Sequence, residues 1–289
     1  MTYSPLFLVG TQRSGTTLLC RMLTAHRDIF IKNELPVRSV FKPGFSKDDI
    51  RANISRHIEK RYGQNLDELM RAEGKSVWGL KDPELTYYLG ELRVFLPQAR
   101  FIVITRDPRA VVNSYMENKW GLGTNAYTGA LRWRDEVLAQ LAFERELPDK
   151  VLRIRYEDLV IDQQATLEAV CQFIDAPFDD TMLSFDQQKS FIREGRENAN
   201  TSRALDESLT RKWKDKLSAH EIAVVDSLCR DVMAMTGYEP EAAPYQVPGW
   251  LAAFYRVHQA VLGEFQIQYR WRVGNWKKRL QRSGSERVT

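Results

Sequence analysis

Short apolar runs alternate with helical patterns along the first two thirds of the chain. Leu6, Phe7, Leu8 and Val9 form a continuous run of the kind a strand buried on both faces requires, and it stops at Gly10. Leu18, Leu19, Met22 and Leu23 then recur at helical spacing, predicting a helix that ends near Ala25. Asp28 to Lys32 reads as a short second strand, Val77-Trp78-Gly79-Leu80 as a third, Phe101 to Thr105 as a fourth and Val151 to Ile154 as a fifth. Between them, Ile50, Ile54 and Ile58 and, past Gly63, Leu66, Leu69 and Met70 mark one or two surface helices in 46–75. Further helices are expected over Glu84 to Phe95, Thr124 to Leu147, Ala165 to Ile174, Asp179 to Phe185 and Ala219 to Met235, with Trp120 and Trp133 as packing residues. Strands alternating with helices predict an α/β chain: a three-layer α/β/α arrangement around a parallel sheet of about five strands.

The first strand-to-helix junction carries candidate chemistry. Gly10-Thr11-Gln12-Arg13-Ser14-Gly15-Thr16-Thr17 has the glycine spacing of a phosphate loop, G-x-x-x-x-G-K-[ST], but Thr16 stands where the lysine belongs. A loop entering a helix offers unpaired N–H groups and the positive end of the helix dipole to an anion. Here the cation is Arg13, within the loop. Ser14 could otherwise simply cap the helix. The run Arg13-Ser14-Gly15-Thr16-Thr17 resembles the loop with which sulfotransferases hold the 5′-phosphosulfate end of 3′-phosphoadenosine-5′-phosphosulfate (PAPS).

Four later strand ends extend the resemblance. Arg106-Asp107-Pro108-Arg109, followed by Ser114, comes directly after the fourth strand, with Pro108 suited to a first helical position. The pair Arg106 and Ser114 is similar to the second sulfotransferase signature, which grips the nucleotide's 3′-phosphate. Lys81, ending the third strand, resembles the lysine that the tyrosine- and carbohydrate-modifying members place against the transferred group. Glu34 resembles their general base, on the expectation that the second strand runs beside the first. Without the resemblance, Lys81 reads as a surface lysine and Glu34 as a solvated turn residue. Tyr156 is either a buried core tyrosine or, as in the family, a ring approaching the adenine. Gln187 to Thr210 loses periodicity and reads as a lid, with Thr201 and Ser202 as candidate contacts, and Lys212 resembles a basic step that reaches the cofactor after it.

Composition narrows the remaining choices. Cys20, Cys171 and Cys229 lack metal or redox spacing and no two of the four histidines lie at ligand spacing, so no metal site is expected. Net charge is +4, yet residues 270–289 hold seven Lys and Arg against one Glu, leaving the rest of the chain at −2. A basic pI confined to one end gives no reason to expect nucleic acid as a partner. No run reads as a membrane span, and a strand so near Met1 leaves no room for a signal peptide, so a cytoplasmic protein is expected.

The resemblance covers roughly residues 5–237, so the chain is read as a P-loop-type sulfotransferase domain over 1–240 and a helical extension with a basic tail over 241–289. It implies in-line transfer of a sulfuryl group from PAPS to a hydroxyl or amine, leaving 3′-phosphoadenosine-5′-phosphate (PAP), with Glu34 as general base and Lys81 and Arg13 stabilising charge. The acceptor stays open among small molecules, glycans, lipids and peptide tyrosine. Competing readings are a phosphate-loop kinase, which the missing lysine disfavours, and a non-catalytic nucleotide-binding or membrane-recruited scaffold. The apolar residues from Trp250 to Phe265 repeat at helical spacing and suit intramolecular packing, a homodimer or a lipid interface.

Overall fold

The computed structural model describes residues 4–187 and 206–273. In chain order it contains β1 Ser4–Val9, α1 Thr16–Ala25, β2 Ile29–Asn33, α2 Val37–Val40, α3 Lys47–Tyr62, α4 Leu66–Ala72, β3 Val77–Lys81, α5 Leu89–Leu92, β4 Arg100–Thr105, α6 Pro108–Asn118, α7 Ala126–Glu146, β5 Val151–Arg155, α8 Tyr156–Ile161, α9 Gln163–Phe173, α10 Ser208–Arg211, α11 Ala219–Met235 and α12 Gly249–His258. The chain divides into two compact units, one of residues 1–106 and 136–211, the other of residues 107–135 and 212–289.

The first unit holds five parallel strands in the order β2-β3-β1-β4-β5. Alternation along each strand sorts its side chains onto two faces. Leu6, Leu8, Ile29, Ile31, Ile102, Ile104 and Ile154 pack with α1, α8 and α9, while Phe7, Val9, Phe30, Trp78, Leu80, Phe101 and Val103 pack with α3 and α4. Both faces are covered by helices, which explains why the strands read as unbroken apolar runs and gives the expected α/β/α sandwich. From β1 the chain moves to β3 and β2 on one side and later to β4 and β5 on the other. The crevice at the carboxyl end of β1 is therefore the switch point where open α/β sheets bind ligands.

Three expectations differ from the structure. β2 lies at the sheet edge against β3 and not beside β1, because hydrophobic pattern specifies which residues are buried but not which strand is the neighbour. The segment 85–95 is α5 flanked by two 3-10 turns, Leu85–Tyr88 and Arg93–Phe95, since no continuous apolar stripe spans it. The stretch from Asp179 to Phe185 forms 3-10 turns, at Asp180–Met182 and from Phe185 onward, in place of a helix.

In the second unit, Asp107 caps α6 by accepting from the Arg109 N–H, and Pro108 occupies the first helical turn. Arg109 is held by both oxygens of Asp107, by the Glu239 carbonyl and by Asp226, with its guanidinium 4.2 Å from the Trp213 ring centroid. Asp226 in turn accepts from the Glu241 and Ala242 N–H groups. Arg109 therefore has a structural role within this network, since a fully desolvated guanidinium costs several kcal/mol unless carboxylates surround it.

At the end of β3, Asp82 fastens the turn that comes after β2. Its carboxylate accepts from the Leu35 N–H at 3.2 Å and the Glu84 N–H at 2.9 Å, and it is buried. Burial outweighs those bonds and pushes its pKa up to about 6. Because the folded pKa lies above the unfolded one, the contribution of Asp82 to stability is complete near pH 4 and is lost as pH rises through about 6. Asp82→Asn removes that loss: in urea titrations the variant should gain on the wild type by on the order of 2 kcal/mol between pH 4 and pH 7. A difference between the two proteins that does not change with pH would contradict this assignment.

Candidate functional site

The loop between β1 and α1 is shaped by two close approaches. A Cβ on Gly10 would lie 2.6 Å from Ser14 Oγ and 2.7 Å from the Ile104 carbonyl, so only glycine lets the chain turn there. Gly15 has φ +101° and a Cβ on it would lie 2.4 Å from the Tyr156 ring. Arg13 also adopts a positive φ of 73°. Ser14 does not cap α1: its hydroxyl donates to the Thr11 carbonyl at 2.7 Å, and the cap position is Gly15, with no side-chain cap and no acidic residue in the first turn. The positive end of α1 is thus uncancelled by protein groups among the described residues. Thr11 Oγ1, buried in the same loop, finds no hydrogen-bond partner there. An anion fits such a cradle, supplying acceptors to donors that the chain leaves unanswered.

Lys81 ties this loop to Glu34. It falls on the β3 face that packs against α1, in register with Leu8 of β1 and Asn33 of β2. Its side chain is 2 % exposed, and its Nζ donates to Thr17 Oγ1 at 2.9 Å and to Glu34 Oε1 at 2.9 Å. An ammonium has three donors, so one remains uncommitted among the described residues. Glu34 is positioned by its own backbone: its N–H donates to the Lys81 carbonyl at 2.7 Å, and φ is +55°. Its carboxylate is half exposed, and no donor among the described residues reaches Oε2. Glu34 therefore comes beside the loop although β2 is not beside β1, because β3 delivers the lysine between them.

On the other side of β1, Arg106 follows β4. Its guanidinium donates to the carbonyl of Arg13 at 3.3 Å and to that of Leu209 at 3.0 Å, and lies 4.1 Å from the Tyr156 ring centroid. Tyr156 opens α8, is 9 % exposed and fills the space under Gly15. It supports the loop from beneath and Arg106 from one face. Arg13, Ser14, Gly15, Thr16, Thr17, Glu34, Lys81, Arg106 and Tyr156 are thus gathered at one edge of the first unit's sheet. Ser114 and Lys212 belong to the second unit. There Ser114 accepts from the Asn118 side chain through both Oγ and its carbonyl, and Lys212 pairs with Glu117 at 3.0 Å. Thr201 and Ser202 lie outside the described residues.

A cavity of about 420 Å³ opens beside Glu34, lined by Gln12, Leu35 to Ser39 and Asp82 to Glu84. Asp82 is the residue here to which the sequence alone assigns no role. Its signal is its place in Lys81-Asp82-Pro83, directly after a strand at the ligand edge.

Comparison with known proteins shows the family. The chain is 27% identical over 280 residues to "Protein-tyrosine sulfotransferase A" of Caenorhabditis elegans, covering 86% of this chain and 71% of that one. It superposes on the sulfotransferase domain from the curacin biosynthetic pathway with a TM-score of 0.63 at 23% identity, covering 82% of this chain and 99% of that one. A mouse sulfotransferase solved in complex with PAP gives a TM-score of 0.50 at 16% identity, with 90% of each chain covered. These two structures speak to the shared fold. A family model described as "Sulfotransferase family" matches residues 5–180, well over half of the chain, and on that match the protein belongs to the sulfotransferase family.

Proposed function

We propose that the protein transfers a sulfuryl group from PAPS to an acceptor hydroxyl on a peptide tyrosine, with Glu34 as general base. The observation that carries the reading is the buried Lys81 ammonium, which joins the phosphate-type loop to a carboxylate at the mouth of a cavity. The relatives named for protein-tyrosine sulfation support the choice of acceptor, and the neighbour bound to PAP supports the choice of nucleotide.

The bound donor supplies an SO3 group on a phosphate that leaves as transfer proceeds. The chain's part is to bind, orient and stabilise. Arg13 and the N–H groups opening α1 would meet the 5′-phosphosulfate, with Thr11 Oγ1 and Thr17 as hydroxyl partners. Arg106, steadied on Tyr156, would receive the 3′-phosphate. The spare donor of Lys81 is suited to charge developing on the transferred group. Glu34 Oε2, which no donor among the described residues reaches, would take the proton of the acceptor hydroxyl while Oε1 stays fixed by Lys81. A phosphosulfate carries less charge than a triphosphate, which suits a loop with Thr16 where a nucleoside triphosphatase keeps its lysine.

Calorimetry with PAP in the presence of a chelator should show binding, which Arg106→Ala weakens by about 30- to 1000-fold, as expected when one partner of a desolvated charge pair is truncated. Tight binding of magnesium ATP with no binding of PAP would favour the kinase reading instead. Glu34→Gln keeps an oxygen for Lys81 and should bind PAP normally, yet transfer to a tyrosine peptide about 10²- to 10⁴-fold more slowly. Unchanged transfer by this variant would remove the base assignment, and faster transfer to a glycan or lipid acceptor than to the peptide would overturn the acceptor.

A further inference from the structure

In the second unit, α12 and the helical turns that continue it to residue 273 are amphipathic in the unusual sense. The face turned to the protein is polar. Gln259 donates to the Gly121 carbonyl and accepts from the Thr124 N–H, Gln266 accepts from the Gly121 N–H, and His258 meets the Thr124 hydroxyl. Tyr255 stacks on Tyr127, and Arg270 lies over Trp120. A five-residue π turn, Gln259–Gly263, brings Gly263 so close to Gly121 that a Cβ on Gly121 would lie 2.7 Å from the Gly263 carbonyl. The attachment is specific, and it consumes the helix's hydrogen-bonding side chains.

The apolar residues point the other way. Trp250, Phe254, Val257, Val261 and Phe265 fall at intervals of three and four, and each is more than half exposed, as are Tyr269 and Trp271 beyond them. A contiguous apolar stripe of this length on a water-facing helix marks an interaction surface. Glu264 is the single acid in residues 249–273, against Arg256, Arg270 and Arg272. The remaining sequence, 274–289, adds Lys277, Lys278, Arg279, Arg282 and Arg287 against Glu286. Residues 249–289 therefore carry a net charge of +6. A second copy docking on the same stripe would bring two such charges together, with Glu264 and Glu286 the only acids in either segment. An anionic lipid surface offers both an apolar boundary for the stripe and negative headgroups for the cations.

We propose that residues 249–271 form a membrane-surface helix, its Trp250 to Phe265 face at the headgroup and acyl boundary of an anionic bilayer and its basic residues on the headgroups. Tryptophan and tyrosine at its far end suit that boundary, where an aromatic body is buried and a polar tip stays wet. The inference stands apart from sulfuryl transfer. It places the enzyme at a lipid surface; among the described residues no helix is long and apolar enough to cross a bilayer.

The test is co-sedimentation of the full chain with phosphatidylcholine vesicles, with and without phosphatidylserine, at rising salt. Binding should require phosphatidylserine and fall as salt increases. Phe254→Asp with Val261→Asp, both more than half exposed, should weaken it by about tenfold or more, with unchanged PAP binding. Removing residues 274–289 should weaken it comparably and abolish the dependence on phosphatidylserine. The proposal is overturned if the chain does not bind phosphatidylserine vesicles, or if the doubly substituted protein binds them as the wild type does. It is equally overturned if light scattering shows a dimer that Phe254→Asp dissociates, because a second copy would then cover the face. PAP binding is read separately, so none of these results bears on the sulfotransferase assignment.

Discussion

A single buried ammonium organises the ligand edge of the first unit's sheet. Lys81 sits at 1 % exposure on the face of β3 that packs against α1, where an unpaired charge would be costly. It is tolerated because Thr17 and Glu34 both accept from it. Those two residues come from different crossovers, one after β1 and one after β2, so the lysine sets their separation. The strand between them is what makes this geometry available. Had β2 paired with β1, no lysine-bearing strand end would lie between loop and carboxylate.

The second constraint is steric. Gly10 and Gly15 let the loop lie on the ends of β4 and α8, and Tyr156 fills the remaining space while holding Arg106 on its face. Arg106 in turn donates to the Arg13 carbonyl. Two of the site's cations, Arg13 and Arg106, are thereby linked through the backbone of the loop.

Much of the first unit was legible because strands buried on both faces cannot be confused with half-buried ones. Leu6 to Val9 and Phe101 to Thr105 announce themselves, and Gly10 and Pro108 mark the loop and the helix that succeed them. Pairing order was not legible, since Ile29 and Ile31 would be equally satisfied beside β1 or β3. The broken helical segment 85–95 was hidden because local polar and apolar residues do not reveal 3-10 turns. At the site, the resemblance to sulfotransferases, carried by residues at strand ends, singled out Lys81, Glu34 and Arg106 as candidates. Burial of Lys81 and the close fit of Tyr156 under Gly15 depend on tertiary neighbours, and Asp82 offered only its position after Lys81. The same holds for the C-terminal helix: its periodicity is plain in sequence, but only the structure shows the glutamines turned inward and the tryptophans outward.

The measurement closest to the centre of this account is the effect of Lys81→Met on two quantities taken from the same protein, affinity for PAP and the single-turnover rate of sulfuryl transfer. Methionine preserves the buried volume and removes the charge. If the ammonium joins loop and base and stabilises developing charge, the rate should fall by about 10²- to 10³-fold, with PAP affinity changing by less than about tenfold. A rate that is preserved, or one that falls only as far as affinity does, would contradict it.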